Sequence, residues 1–389
     1  MLRVLWLCSR YPNNLEANDA DFVQRYAQAT SMFNEVHVIK LTPDSKAKAV
    51  NKVTRKFQQW PNLTETFIYY PKPKSFIGKT VAFLRWYSLY KYAVENYIEK
   101  SGKPDLVHVH IPYKSGAIAG LIKRKYKIPY VVTEHWGGYN DVVENNYLER
   151  DFTFRSIIKE TYKAASALHT ASDFLGEQIN RLVTKIPFTV IPDAVDTNCF
   201  NYRPVENASR KFRLVHPSNG ASEKNIAGIV EAFQRLDRDR FNFQIIGLPE
   251  EINGLLSRMY PFIDFTGKVS DKQVSDNLNN ADALIIFSNM ENSPCVIGEA
   301  LCCGVPVIAT NVGGISELVD STNGLLLKPG DVDQLVEMIE YLVLNIKFYD
   351  KRQISESAVK KFSYKQIGFE TDLWYKNVLL SSEGSKTPM

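Results

Sequence analysis

Cysteine is scarce: the 389 residues hold 5, at Cys8, Cys199, Cys295, Cys302 and Cys303. They make neither an even disulfide framework nor a metal-ligand spacing, so a reducing cytoplasm is the expected setting. Long apolar runs are also missing. The opening MLRVLWLCSRYP reads as a strand, too short in its apolar part for a signal core or a membrane span. No internal repeat is evident beyond two similar halves. Charge of either sign is modest, at 23% of residues against 44% hydrophobic, which excludes a long disordered chain and points to packed cores. The net charge of +4 is unevenly divided. Residues 1–195 carry 27 Lys and Arg against 18 Asp and Glu, and residues 196–389 carry 20 against 25. The first half is therefore the part that would approach an anionic surface, and no nucleic-acid partner is expected.

What is present is an alternation of short apolar runs and helical stretches over a length that suits two α/β domains. Strands are expected at 2–8, 36–41, 104–110 and 129–133, with helices at 23–33, 116–127 and 154–164. The boundary is placed at 192/193. A second series follows, with strands at 212–216, 243–246 and 281–288 and helices at 226–236 and 271–281. An amphipathic helix at about 366–381 precedes a polar tail, 382–389, expected to fray. The segment Lys72–Lys100 interleaves Lys72, Lys74, Lys79, Arg85 and Lys91 with Phe83, Trp86, Tyr87, Tyr90 and Tyr92. It reads either as a core helix or as a helix resting on an anionic bilayer.

The chemistry concentrates in ADALIIFSNMENSPCVIGEALCCGVPVIATNVGGISEL, residues 281–318. The order is strand, loop, helix, tight turn, strand, glycine loop, helix. Ser293 is expected to cap the helix and Pro294 to take its first position, with Gly304 and Pro306 ending it. The amides of Cys295 and Val296 are then left unpaired at the positive end of the helix dipole, where an anion is welcome. Glu291 lies in the loop before the helix and Glu299 lies within it, one turn below Cys295. A diphosphate on the amides would have a hydroxyl-accepting carboxylate near each end.

This Glu-x7-Glu arrangement, within SNMENSPCVIGEALCCGVPVIATNVGGISELV and followed by Gly313-Gly314, resembles the donor-site signature of the family 4 retaining glycosyltransferases. The resemblance implies the GT-B fold: two Rossmann-like α/β domains with parallel sheets facing across a cleft. The final helix would cross back to pack on the first domain. The site residues follow position by position. His135, in TEHWGGYN, matches the histidine at the reaction centre, which contacts the transferred sugar. Glu291 would hold sugar hydroxyls and Glu299 the ribose. Lys224, at the end of PSNGASEKN, would reach the diphosphate, and the backbone near Val269 would meet the base. Three positions depart from the family pattern. Ala20, before Asp21 in the loop that faces acceptor and phosphates, replaces a glycine. Asn219 replaces an arginine, and Asp193-Ala194 replaces Asn-Gly in the crossing segment.

The resemblance implies retention of anomeric configuration, with a UDP- or GDP-hexose as donor and a glycan or lipid-linked glycan as acceptor. Bacterial cell-surface polysaccharide or glycolipid assembly is the expected setting. The nucleotide sugar is a substrate, no cofactor is expected, and no metal is needed if amides and Lys224 meet the diphosphate charge. No Asp-x-Asp pair is expected in the cleft. Two alternatives stay open: a nucleotide-sugar epimerase on the same architecture, and a non-catalytic donor-binding subunit. The expected location is cytoplasmic, with peripheral contact to the inner face of the plasma membrane through 72–100.

Overall fold

A computed structural model describes the chain except for residues 18, 45–51, 58–60, 72–75, 205–210 and 385–389. Short β-branched and apolar runs buried on both faces are the sequence form of a parallel strand, and such runs build two sheets here. In chain order the first half comprises β1 (Arg3–Cys8), α1 (Asp21–Ser31), β2 (Glu35–Asp44), β3 (Lys52–Phe57), β4 (Leu63–Pro71), α2 (Phe76–Ser101), β5 (Leu106–His110), α3 (Ser115–Tyr126), β6 (Tyr130–Glu134), α4 (Phe152–Ala164), β7 (Ala167–Thr170), α5 (Asp173–Leu182) and β8 (Phe188–Val190). The second comprises β9 (Phe212–Pro217), α6 (Ile226–Arg235), β10 (Phe241–Leu248), α7 (Glu250–Met259), β11 (Ile263–Gly267), α8 (Asp271–Asn279), β12 (Ala283–Ile286), α9 (Cys295–Cys302), β13 (Val307–Thr310), β14 (Gly324–Leu327) and α10 (Val332–Asn345). Two further helices, α11 (Lys351–Phe362) and α12 (Tyr364–Gly384), end the described chain.

The sheets run β3-β4-β2-β1-β5-β6-β7-β8 and β11-β10-β9-β12-β13-β14. Every pairing is parallel except β3 with β4. In each sheet the order reverses beside the first strand, between β1 and β5 and between β9 and β12. These are the switch points where open α/β sheets leave a crevice at the strands' carboxyl ends. Alternation along each strand feeds two cores. Leu5 and Leu7 join Tyr90, Ile118 and Tyr162 on one face, while Val4, Trp6 and Cys8 join Tyr26 on the other. Ala283 and Ile285 part from Leu284 and Ile286 in the same way.

The two halves are joined twice. Val195, in the forward crossing, donates its amide to Phe362 O at 2.9 Å and forms a parallel bridge with Ser363 in the return crossing. Beyond it, α12 lays Tyr364, Ile367, Trp374 and Tyr375 into the core beneath α1 and β1. In α2, Trp86, Tyr90, Val94 and Tyr97 are buried, while Val81, Phe83, Leu84 and Tyr92 are exposed. The helix is therefore both a core helix and an apolar-faced surface one. Lys72 and Lys74 lie outside the described residues.

Candidate active site between the two sheets

The second switch point brings together the loops after β9 and β12. The first of these turns at Asn219, whose Oδ1 accepts from the Ala221 amide at 3.1 Å. It reaches Lys224 just before Asn225, which caps α6 by accepting from Gly228 N at 3.2 Å. The second loop carries Glu291, whose Oε1 accepts from Lys224 Nζ at 2.6 Å and from Ser288 Oγ at 2.8 Å. Asn289 N donates to Glu223 O at 2.7 Å and ties the loops together. Lys224 and Glu291 thus meet as a largely buried ion pair at the mouth of the crevice.

Helix α9 starts one residue later than its sequence suggests. Pro294 is the N-cap and keeps an extended backbone, ψ 113°, so helical geometry begins at Cys295. Ser293 is then one place too far out to cap, and no side chain caps this helix. The amides of Cys295 and Val296 have no partner among the described residues, whereas Ile297 N already donates to Pro294 O at 3.0 Å. The segment after Gly313-Gly314 is a single 3-10 turn, Ile315–Glu317, not the helix expected there. Gly313 has φ +56°, and a Cβ on it would strike the carbonyl of Glu291. A Cβ on Gly314 would meet Asn292 O and Ser172 of the first domain, so the glycines let this loop slide under the Glu291 loop.

Glu299 points at the first domain, where Arg25 of α1 grips Oε1. Arg25 also reaches Asp21 and Asp271, each at 3.1 Å, and so bridges the two domains. Burial raises the Glu299 pKa and the Arg25 charge pulls it back. The carboxylate assigned to a ribose is therefore held by a guanidinium. Ala20 adopts φ 54°, ψ 53°, the left-handed geometry a glycine would take without strain. Contrary to the sequence reading, an Asp-x-Asp triplet does stand by the cleft, as Asp19-Ala20-Asp21. Its acids are already engaged, Asp19 by Arg10 and Lys40 and Asp21 by Arg25. No group of three or more His, Cys, Asp or Glu side chains is arranged to hold a metal among the described residues. Val269 packs partly buried between β11 and Ser270, the N-cap of α8.

Across the cleft His135 follows β6, its side chain 4% exposed. Nδ1 lies 3.5 Å from Asp193 Oδ1, and Nε2 is buried with no hydrogen-bond partner. Its ring packs on Phe22 and stacks 5.8 Å from His110. Burial pushes His135 down to about 3 and Asp193 up to about 7, so both groups are driven toward their uncharged forms. Cys295 Sγ donates to Asp193 Oδ2 at 3.7 Å, and Asn292 Nδ2 to His135 O at 3.2 Å, so both domains share the site. His108, His110 and His169 of the first sheet are internal, whereas His37 on β2 is half-buried. His108 bonds Tyr375 and Thr133, and Thr133 bonds His169.

Arg25, Asp193, Asn292 and Asp271 were not singled out as site residues from sequence. The signal existed for two of them. Arg25 is a cation among buried positions of α1, and Asp193 an acid inside the apolar IPDAV. What they contact was invisible until the domains were placed.

Two family models match the chain in tandem: Glycosyltransferase Family 4 over residues 22–198 and Glycosyl transferases group 1 over residues 201–361. A Bacillus subtilis (strain 168) glycosyltransferase named for teichuronic acid biosynthesis, TuaC, is 26% identical over 388 residues, covering 95% of each chain. The structure resembles a sucrose-phosphate synthase from Thermosynechococcus elongatus, with TM-score 0.76, 17% identity and coverage of 97% of this chain and 100% of that one. It also resembles Anabaena HepE in complex with UDP-glucose, with TM-score 0.68, 15% identity and coverage of 97% and 100%. The chain belongs to the group 1, family 4 glycosyltransferases and is a transferase of GT-B architecture.

Proposed function

We propose that the protein moves a hexose-type sugar from a UDP- or GDP-sugar to an acceptor hydroxyl with retention of configuration. The observation that carries this reading is the second-sheet switch point. There Lys224, Glu291 and the unpartnered amides of Cys295 and Val296 converge, opposite the buried, unpartnered Nε2 of His135. A sugar diphosphate is already activated, so the protein must hold the leaving charge, exclude water and orient the acceptor. Fixed amides and the ammonium of Lys224 suit the first task. Glu291, an acceptor, suits the sugar hydroxyls, and Glu299 suits the ribose once Arg25 is exchanged for it. Neutral His135 can donate to or accept from the reacting sugar without adding charge.

The diphosphate charge is met without a metal ion in this reading, and transfer should persist in EDTA. The acceptor is a glycan or lipid-linked glycan in polysaccharide or glycolipid assembly. The relative named for teichuronic acid biosynthesis supports that setting and a bacterial one. No described helix is long and apolar enough to cross a membrane. The exposed Val81, Phe83, Leu84 and Tyr92 of α2 support peripheral contact with an anionic inner membrane face. Sedimentation with anionic vesicles tests this, and equal binding to neutral vesicles overturns it.

A panel of nucleotide sugars read by thermal shift tests the function. A true donor at 100 times its Kd stabilises by about 2.7 kcal/mol. The anomeric proton coupling of the product then reports retention. A panel without any shift, with no donor turnover, contradicts the assignment.

A further inference from the structure

The first sheet has its own switch point, between β1 and β5, and a pocket of about 550 Å³ opens there at the strands' carboxyl ends. Its floor is the loop after β5, which is under backbone strain. Ile111 has φ 56° and Lys114 φ 69°, both unfavourable for residues with a Cβ and worst for a β-branched one. The strain is held in place from two sides. Ser9 Oγ, at the end of β1, bonds Tyr113 O and the hydroxyl of Ser115, and Ser115 Oγ donates to Ile111 O at 3.2 Å. Strain that the surroundings over-determine in this way gathers at ligand sites. Trp136, the neighbour of His135, forms part of the wall, so the pocket adjoins the centre where the sugar would be transferred.

The charges of the pocket do not cancel. Among its acids, Asp19 is held by Arg10 and Lys40. Glu134 is buried beneath two amides and the hydroxyls of Tyr139 and Tyr162, and burial raises its pKa. Glu16 is exposed at the rim. Two cations lack a carboxylate among the described residues. The Lys114 ammonium lies 5.9 Å from the Trp86 ring centre and 5.5 Å from that of Tyr113. The Arg150 guanidinium lies 5.5 Å from Trp136 and 5.3 Å from Phe154, with a buried Nε that has no partner. Partly desolvated cations without counter-ions among the described residues, set on aromatic shelves, are poised for an anion attached to a ring with an apolar C–H face. A sugar bearing a negative group has that form.

We infer that this pocket takes the acceptor, and that the acceptor is an anionic glycan whose carboxylate or phosphate pairs with Lys114 and Arg150 while its sugar rings lie on the aromatic walls. This rests on the glycosyltransferase reading for the word acceptor, but anion capture by the pocket is measurable without a donor. The test titrates the full-length protein with trigalacturonate, glucose 6-phosphate, and the neutral maltotriose and glucose, following quenching of tryptophan fluorescence. Trigalacturonate should bind at least tenfold more tightly than maltotriose, or glucose 6-phosphate than glucose, and the arm with the larger ratio identifies carboxylate or phosphate. Lys114→Met and Arg150→Met should each remove most of that ratio, with melting temperatures and donor-induced shifts as the folding control. Equal affinity for charged and neutral partners, or an anion preference that survives both substitutions, overturns the inference. If no nucleotide sugar shifts the melting temperature while Lys114- and Arg150-dependent anion binding is present, the transferase substrates fail and the anion pocket stands.

Discussion

Lys224 and Glu291 neutralise each other, and that pairing sets what each substitution does. Glu291→Gln keeps an acceptor oxygen for Ser288 and loses the charge. It is expected to melt near the parent temperature and to lower transfer about a hundredfold, in the range found when one preorganised polar group is lost. Lys224→Met leaves a buried carboxylate unpaired, so it should lose both turnover and stability. Steady-state rates with paired melting curves separate the two. The histidines predict a pH response of definite sign. Burial holds His135 at about 3 and His169 and His216 at about 4, against 6.5 in the unfolded chain. Between pH 6.5 and 4 the unfolded state binds protons that the folded state refuses, so stability falls as pH drops through that window. Asp193, pushed up to about 7 from 3.8, works the other way: its folded form keeps a proton that the unfolded form has lost, and its contribution falls as pH rises from 4 to 7. Glu134 and Glu299, which burial also raises, act in the same sense as Asp193, and the depressed histidines, His108 and His110 among them, outnumber these three acids. The melting temperature followed by circular dichroism should therefore drop from pH 6.5 to 4.5, and a rise would contradict the burial assigned to them.

Helix α9 and the glycine turn behind the Glu291 loop work as one piece. Gly314→Ala places a methyl against Asn292 O of its own domain and Ser172 of the other. It is expected to destabilise by about 1–3 kcal/mol and to lower donor affinity, whereas Gly330→Ala, whose Cβ would meet nothing within 4 Å, carries the cost of its φ of +75° alone. Denaturant unfolding of both variants checks the order. At this scale much was legible in the sequence. The strands of both switch points and the helix after Glu291 announce themselves because doubly buried strands are short and apolar, and α9 is bracketed by Pro294 and Gly304. Helix α7 gave no comparable signal because it buries no residue fully. Strand β3 sits at an edge and pairs on one side only. The start of α9 was misread by one residue because a proline fits both N1 and the N-cap, and only the backbone ψ decides between them.

Taken whole, the molecule is two crevices brought face to face, and polar contacts among the described residues cross between them. Arg25 reaches Glu299 and Asp271. Glu317 Oε2 and Oε1 accept the amides of Asp173 and Phe174 at 2.8 and 3.0 Å, capping α5 from the other domain. Contacts of this kind are invisible in one sequence, because nothing local distinguishes a cation that crosses a cleft from one that meets solvent. Arg25→Met should loosen closure, seen as a larger radius of gyration by small-angle scattering without donor and a return toward the parent value with donor. An unchanged radius would mean that Arg25 does not hold the cleft. In the proposed donor complex a sugar's diphosphate rests on the amides of Cys295 and Val296 beside Lys224, with Glu291 on the sugar and Glu299 on the ribose. A crystal structure of the donor complex measures it directly. Phosphate oxygens should lie within hydrogen-bond distance of both amides, with Arg25 withdrawn from Glu299. A diphosphate bound elsewhere, with the Arg25–Glu299 pair intact and Glu291 free of the sugar, would contradict it.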